Sequence, residues 1–528
     1  MAETEIPTVH WADHAADRLI ERSPNQPVYV CASGISPSGV VHIGNFREVI
    51  TVDFVVRALR KKGKAVRFIY SWDDYDALRK VPKNLPNEKL IAENLRRPIA
   101  KIPDPFGTHT SYASHFEDLF EKEIAQLGVR PEFIYQCEAY ESGRYVKWIE
   151  TALKQEEMIR KILNAARTEN LEADWTCVTI YCSDCGRDTT AVKAYRAPQT
   201  FDYHCTACKQ DRTIDMSKTP GVKLLWRVDW PMRWDFERVD FEPGGKDHSS
   251  TGGSYETGCH IVREIYRREP PVYVQYDFVL AKGMGNKLSS STGNLITLSQ
   301  ALQVYEPNVL RWIFASRKPN LDFSIAFDLD VIKTYDDFDR CERVALKAEE
   351  AIDKKHNYEN RIYELSLIDS EAKPARCPPQ FAFRHLCNIL QIHQGSIEKA
   401  LNHYQVTDAS DRVRFVSRSE RAWKWICDYA PQEFRFCLRG DNAPMTKTPQ
   451  PAALADLASL IEGADFGVGE DVLTTQIFDI TKKHSLPPKV FFEAVYDALI
   501  SKKAGPKLAS FLIAIGKEKA ASLLKRAL

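Results

Sequence analysis

The stretch from Pro27 to Ser71 constrains the fold more than any other part of the chain. PVYVCAS (27–33) is a short β-prone run, and GISPSGVVHIGN (34–45) is rich in turn formers. From Phe46 to Lys61, Val49, Ile50, Phe54, Val55 and Leu59 recur near helical spacing, with Gly63 as a stop, and Ala65 to Ser71 reads as a second strand. Strand, glycine-bearing turn, helix, strand is a βαβ unit, whose strands run parallel and whose crossover is right-handed. Ligands of such sheets sit at the carboxyl ends of the strands. The turn at 34–45 and the residues just beyond the second strand are therefore expected to meet whatever is bound.

The remaining chain, of 528 residues in all, is too long for one core. Residues 80–110 are rich in Pro and Asn and read as an irregular insertion. Helical patterns return at 111–128 and 143–168, followed by a polar, cysteine-bearing segment at 176–215. From Leu224 to about Asn294 the signals are those of strands and loops. Beyond Asp328 the chain becomes a succession of amphipathic helical patterns, for example Val331 to Ala351 and Phe381 to Ala400. Composition changes most sharply near 320–330, and again, more softly, where DNAPMTKTPQP interrupts the pattern near 440–455. The expected architecture is an α/β Rossmann-type domain over 1–328, with an insertion at 80–225 that carries a zinc knuckle at about 176–215. A helical domain at 329–445 and a second helical domain at 446–528 follow.

Composition narrows the possible surroundings. No run approaches the roughly 20 apolar residues that cross a bilayer, and Glu3, Glu5, Asp13 and Asp17 stand where a signal peptide would be apolar. A cytoplasmic protein without a membrane partner is expected. Lys+Arg and Asp+Glu balance at 72 each, so a nucleic acid would be held by a local basic surface rather than by net charge. The thirteen cysteines are an odd number in a long chain, which disfavours a disulfide framework. Four of them, Cys182, Cys185, Cys205 and Cys208, have the spacing of two zinc knuckles. Four thiolates close a tetrahedral Zn²⁺ site and leave no position for substrate, so this metal is expected to be structural. Cys177 and His204 lie near enough to replace a ligand. His109, His115, Cys259 and His260 raise the thought of a second metal, against which stand ordinary polar and core roles.

Three glycine-rich segments carry candidate chemistry. In Pro37-Ser38-Gly39-Val40-Val41-His42-Ile43-Gly44-Asn45, a helix N-terminus offers N–H groups to phosphate. Gly44 allows close approach, and His42 and Asn45 supply donors as charge builds. An ordinary βα turn is the alternative. Lys282 to Asn294 (KGMGNKLSSSTGN) sets three hydroxyls behind Lys287, which suits a loop closing on a polyphosphate, or else a plain surface turn. Gly245 to Tyr255 adds an acid and a histidine, Asp247 and His248. Asp73 and Asp74 directly follow the second strand, where a carboxylate can pair with a side-chain ammonium, hold an α-amino group or cap the next helix.

The segments His42-Ile43-Gly44-Asn45 and Lys287-Leu288-Ser289-Ser290-Ser291 resemble, in order and separation, the HIGH and KMSKS signatures of class I aminoacyl-tRNA synthetases. Asn45 replaces the last histidine and remains a donor. Ser290 replaces the second lysine, which leaves open how pyrophosphate charge is divided between Lys287 and neighbours such as Lys282. GISPSGVVHIGNFRE, YSWDDYDALRK and FEPGGKDHSSTGGSYETG look most like the class I lysyl-tRNA synthetases, over about residues 10–340 and more weakly to the C-terminus.

That resemblance implies a lysine–tRNA ligase using ATP and Mg²⁺, with His42, Asn45 and Lys287 catalytic. ATP would meet Pro37, Gly39, Gly44, Leu288, Ser289, Ser290 and Ser291, and Asp247 would face its ribose. Gly34, Ser36, His248 and an aromatic at Trp226 or Trp230 would lie around the lysine; Asp73 and Asp74, placed by their position after the second strand, and Tyr255 are further candidates for holding it. The partner would be tRNA(Lys), bound by a monomer whose helical C-terminal domain reads the anticodon. Arg412, Arg414, Arg418, Arg421, Trp423, Lys424 and Trp425 are candidates for RNA contact or for a solvated face over a tryptophan core. A glutamyl-like synthetase and a catalytically silent tRNA-binding paralogue remain the alternatives.

Overall fold

The computed structural model describes residues 9–283, 296–369, 373–440, 443–445, 447–463 and 469–528. The chain divides into two compact units. One comprises Met1–Leu302, Pro307–Ile325 and Cys341–Arg376; the other comprises Gln303–Glu306, Ala326–Arg340 and Cys377–Leu528.

In the first unit, α1 (Trp11–Arg22) precedes β1 (Tyr29–Ile35), α2 (Ile43–Lys61) and β2 (Val66–Trp72). The two strands are parallel, in register from Tyr29 opposite Val66 to Ile35 opposite Trp72. Helix α2 begins at Ile43, before its apolar stripe, because His42 and Asn45 form a capping box that satisfies the first free N–H groups. The Pro- and Asn-rich stretch contains only the short α3 (Glu88–Glu93) and a single 3₁₀ turn, after which α4 (Tyr112–Gln126) is capped by Ser111. Next come β3 (Glu132–Tyr135), α5 (Gln136–Glu141), α6 (Val146–Lys154) and α7 (Glu156–Ala165).

The cysteine-bearing segment is framed by β4 (Val178–Ile180) at one end. Inside it, β5 (Thr190–Arg196), β6 (Thr200–Cys205) and β7 (Gln210–Asp215) form a three-stranded antiparallel sheet. It closes with β8 (Val222–Leu224), which pairs antiparallel with β4 so that Thr179 faces Lys223.

The chain then re-enters the main sheet through α8 (Trp226–Phe236), β9 (Phe241–Gly245), α9 (Ser254–Tyr266) and β10 (Val272–Tyr276). The strand order is β10-β9-β1-β2-β3, all parallel. Because β2 and β9 flank β1 on opposite sides, the crevice at its carboxyl end is the switch point where α/β sheets bind ligands. Helices α8 and α9 correct the expectation of strands and loops over 224–294. Helix α8 contains Pro231 and buries an unbroken run from Val228 to Trp234, so no polar face betrays its period. Helix α9 starts directly after Gly252 and Gly253, which read locally as turn formers.

After β11 (Val279–Lys282) come α10 (Leu298–Val304), α11 (Pro307–Ala315) and β12 (Phe323–Ala326), which pairs with β11. Helix α12 (Asp330–Ala345) and α13 (Asp353–Ser366) follow.

From Cys377 onward the described residues contain only helices: α14 (Phe383–Ile392), α15 (Ile397–Tyr404), α16 (Ala409–Asp428), α17 (Pro451–Gly463), α18 (Glu470–Lys483), α19 (Pro488–Ile500), α20 (Leu508–Ile515) and α21 (Lys517–Arg526). The single pattern expected over 381–400 is two helices, split where Gln394 and Gly395 take positive φ of 51° and 83°. In this second unit Arg418 is fully buried, with Asp339 at 2.8 Å and Glu306 at 2.8 Å. Trp425 is buried as well and donates to the Phe327 carbonyl at 2.9 Å. Those two members of the basic and aromatic cluster are core groups, whereas Arg412 is exposed and pairs with Glu398. Among the described residues no helix is long and apolar enough to cross a membrane.

Candidate active site

A cavity of about 80 Å³ lies at the carboxyl ends of the parallel strands, between the sheet and α8. Its sheet side is made by Gly34, Ser71, Asp73, Gln136 and Glu242, its helix side by Trp226, Trp230, Arg233 and Trp234, and Glu48 and His248 complete the wall. A Cβ on Gly34 would stand 2.7 Å from the Ser71 carbonyl oxygen, and one on Gly244 would stand 2.0 Å from the Tyr273 hydroxyl. Bare backbone is therefore what leaves room there.

Four carboxylates line this space, and their partners differ. Glu237 is paired with Arg67 at 2.7 Å and Arg144 at 2.8 Å. Asp73 is already neutralised: Arg233 Nη1 donates to its Oδ1 at 2.6 Å and to Ser71 Oγ at 2.7 Å. Glu48 accepts the Gly34 N–H at 2.8 Å and the Tyr276 hydroxyl at 2.7 Å, both neutral donors, and burial pushes its carboxyl up to about 8. Glu242 accepts the indole N–H groups of Trp230 at 3.0 Å and Trp234 at 2.6 Å, and burial raises its carboxyl too. Trp226 stacks on Trp230 with centroids 5.3 Å apart and lies 5.3 Å from the His248 ring. Aromatic walls around carboxylates held by neutral donors suit an apolar stem that ends in a cation.

Of the residues expected around an amino acid, Gly34, Asp73, Trp226 and His248 line the cavity together. Ser36, Asp74 and Tyr255 are not among its lining residues. Asp74 is buried, accepts the Cys137 N–H at 2.8 Å and is raised by burial to about 7. Tyr255 stacks on Tyr273 at 3.7 Å. Glu48, Gln136, Arg233 and Glu242 escaped the reading of the sequence. Only Glu48 left a signal there, standing three residues after Asn45 and so on the same helix face.

On the nucleotide side, the His42 ring caps α2 by accepting the Gly44 N–H at Nδ1, 3.1 Å away. Burial lowers the imidazole's affinity for a proton, so the neutral ring carries its hydrogen on Nε2, the donor a phosphoryl oxygen needs. Gly44 is required for this cap, since a Cβ there would come within 2.8 Å of the ring. Asn45 Oδ1 accepts the His42 N–H at 3.1 Å. Pro37 is buried and Gly39 half-buried in the same turn, and Asp247 is exposed with His248 Nε2 3.7 Å away. Lys287, Leu288, Ser289, Ser290 and Ser291 lie outside the described residues. Ile296, beyond them, accepts the Ile43 N–H on its carbonyl at 2.9 Å and so lies against the first motif.

The four clustered cysteines come together with Cys182 Sγ 3.6 Å from Cys208 Sγ and Cys185 Sγ 3.6 Å from Cys205 Sγ. A tetrahedron with arms of about 2.3 Å has edges of about 3.8 Å, so the set fits Zn²⁺. Cys177 and His204 stand outside it; His204 pairs instead with Asp211 at 2.7 Å. Asp104, His109 and His115 form a second group with ligand atoms within 4.8 Å of one another. Asp104 accepts three backbone N–H groups, from Phe106, Thr108 and His109, which help hold its carboxyl below the usual range.

Residues 9–369 match the family described as tRNA synthetases class I (K). The lysine–tRNA ligase of Borrelia garinii subsp. bavariensis is 44% identical over 512 residues, covering 96% of this chain and 97% of that one. Those of Treponema pallidum and Thermococcus kodakarensis are 42% and 40% identical, covering 97% of this chain and 97% and 98% of theirs. With the capped His42-Ile43-Gly44-Asn45 turn at the mouth of a parallel sheet and this likeness along nearly its whole length, the chain belongs to the class I lysyl-tRNA synthetase family.

Proposed function

We propose that the chain is a lysine–tRNA ligase, which condenses lysine with ATP to lysyl-adenylate and pyrophosphate and then transfers the lysyl group to the terminal adenosine of tRNA(Lys), releasing AMP. The observation that carries this reading is the cavity holding Glu48 and Glu242 on neutral donors while Arg233 neutralises Asp73. Lysine brings two ammonium groups and an aliphatic stem, and thus matches two acidic places and a tryptophan wall. Glutamate would put a third carboxylate beside those two. Ser36, Asp74 and Tyr255 act around the pocket, Asp74 and Tyr255 by holding neighbouring elements rather than by touching the substrate.

The lysine carboxylate attacks the α-phosphorus in line, and the bond to pyrophosphate breaks. His42 Nε2–H and Asn45 donate to the oxygens on which charge develops, with Lys287 and the hydroxyls of Ser289, Ser290 and Ser291 assigned to the leaving pyrophosphate by family likeness. Pro37, Gly39, Gly44 and Leu288 shape the nucleotide site, and Asp247 takes a ribose hydroxyl. Mg²⁺ supplies charge neutralisation on the ATP phosphates. Cys182, Cys185, Cys205 and Cys208 hold a structural Zn²⁺ that makes the 176–215 segment a zinc-bearing insertion. In this reading 1–328 is the catalytic domain, with its insertion at 80–225. The helical 329–445 and 446–528 serve tRNA binding, the latter the anticodon, and the enzyme works as a cytoplasmic monomer.

The test is transfer of each labelled amino acid to total tRNA with ATP and Mg²⁺, beside a His42→Ala variant. Lysine charging that falls by about two orders of magnitude or more in the variant is expected, since one lost oxyanion donor costs about that much. Charging of glutamate or arginine instead would overturn the specificity, and tRNA binding without any charging would favour the silent paralogue.

A further inference from the structure

A set of buried charges extends from the amino-acid cavity to a residue that does not line it. Arg233, on the cavity wall, also reaches Asp229 four residues earlier on α8, Nη2 to Oδ2 3.4 Å. Asp229 is fully buried and accepts the Tyr140 hydroxyl on its other oxygen. Its second cation is Lys223, whose Nζ lies 3.2 Å from Asp229 Oδ2 and 3.0 Å from Asp76 Oδ1. Lys223 is itself buried at the centre of β8, facing Thr179 across the β4–β8 pair.

The bookkeeping of charge explains why two cations are needed. Asp73 and Asp229 are both buried, and Arg233 touches both. A buried carboxylate without a cation is strongly disfavoured, so with Lys223 present Arg233 is left to Asp73 and Ser71. If the Lys223 charge were lost, Asp229 would draw the guanidinium along its own helix. Asp73 would then join Glu48 and Glu242 as a cavity carboxylate without a cation, and the wall made by Arg233 would move. We propose that Lys223 is a positioning residue for amino-acid recognition: by neutralising Asp229 it commits Arg233 to Asp73, and so sets the charge and shape of the lysine pocket without touching the substrate. This rests on the lysine–tRNA ligase reading above.

The test measures KM for lysine, KM for ATP and kcat in full aminoacylation for wild type, Lys223→Met, Lys223→Arg and the doubly neutral Lys223→Met/Asp229→Asn, with thermal unfolding of each. Lys223→Met is expected to raise the lysine KM about tenfold with the ATP KM unchanged within about twofold, the pattern of a lost binding interaction confined to one substrate. Lys223→Arg restores most of the affinity, and the double variant returns the lysine KM to within about threefold even where its stability stays reduced. Lys223→Gln, which keeps a donor without the charge, takes the place of Lys223→Met if that variant does not fold. The proposal is overturned by a folded neutral variant with wild-type lysine KM, by lysine and ATP KM rising together, or by a double variant no better than the single one. A wild type that does not charge lysine overturns both this proposal and the ligase reading; a wild type that does, beside an unaffected variant, overturns this proposal alone.

Discussion

Glu48 shows how much a single ionisation state decides. Burial raises its carboxyl to about 8, so near pH 6.5 it holds a proton; in the ligase reading an incoming lysine ammonium displaces it. The lysine KM is accordingly expected to fall roughly tenfold between pH 6.5 and pH 8 and then level off, as the carboxylate forms without competition. Glu48→Gln should remove that pH dependence and raise the lysine KM by about tenfold or more, the worth of a charge-assisted hydrogen bond of about 2 kcal/mol. Steady-state kinetics across pH checks both; an unchanged profile in Glu48→Gln would move the role to Glu242. His10 is the opposite case. Its Nδ1 accepts the Ala12 N–H at 3.2 Å and its Nε2–H donates to the Ala315 carbonyl at 2.9 Å, so the folded ring is neutral, and burial lowers its pKa to about 4. The unfolded chain binds this proton near the ordinary value of 6.5. Stability is therefore present above that value and lost as pH falls towards 4, about 2 kcal/mol between pH 7 and pH 5. Urea unfolding at the two pH values should show that loss, and His10→Asn should diminish it.

Elements whose logic is local are legible in the sequence. The glycine-bearing turn ahead of α2 can be named from it because turn formers act within a few neighbours, whereas the capping box that starts α2 at Ile43 came from the structure. Helix α8 is not legible, since burial on every side erases the polar stripe that announces a helix. Nor is the tie made by Arg47, whose guanidinium donates to the carbonyls of Phe278, Lys318, Pro319 and Leu321, 231 to 274 residues away. The cysteine-bearing segment belongs at this scale as well. Its strands β5 to β7 bury few large side chains, with much of β5 and β7 half-buried or exposed, so four thiolates on a metal are expected to contribute much of its local stability. The purified chain should contain about one Zn²⁺ per molecule by elemental analysis. Cys182→Ser or chelation should remove it and lower the melting temperature by about 5 °C. Turnover per folded molecule should persist, because a closed four-thiolate site offers no position to substrate. Metal-free protein of unchanged stability would sink this reading.

At the scale of the molecule, spacing along the chain is enough to announce the βαβ unit, the order of the two glycine-rich motifs and the grouping of Cys182, Cys185, Cys205 and Cys208. Each of those depends on residues near one another in sequence or on a pattern that survives translation along it. The tertiary structure decided which carboxylate is available to a substrate. Asp73 looks as good a partner for an ammonium as any acid in the sequence, yet Arg233, 160 residues away, already neutralises it. Glu242, unremarkable in FEPGG, ends up between two indoles at the mouth of the sheet. The difference is physical: a turn or a knuckle is set by covalent reach, whereas the charge state of a pocket depends on through-space distance and on water excluded by distant segments.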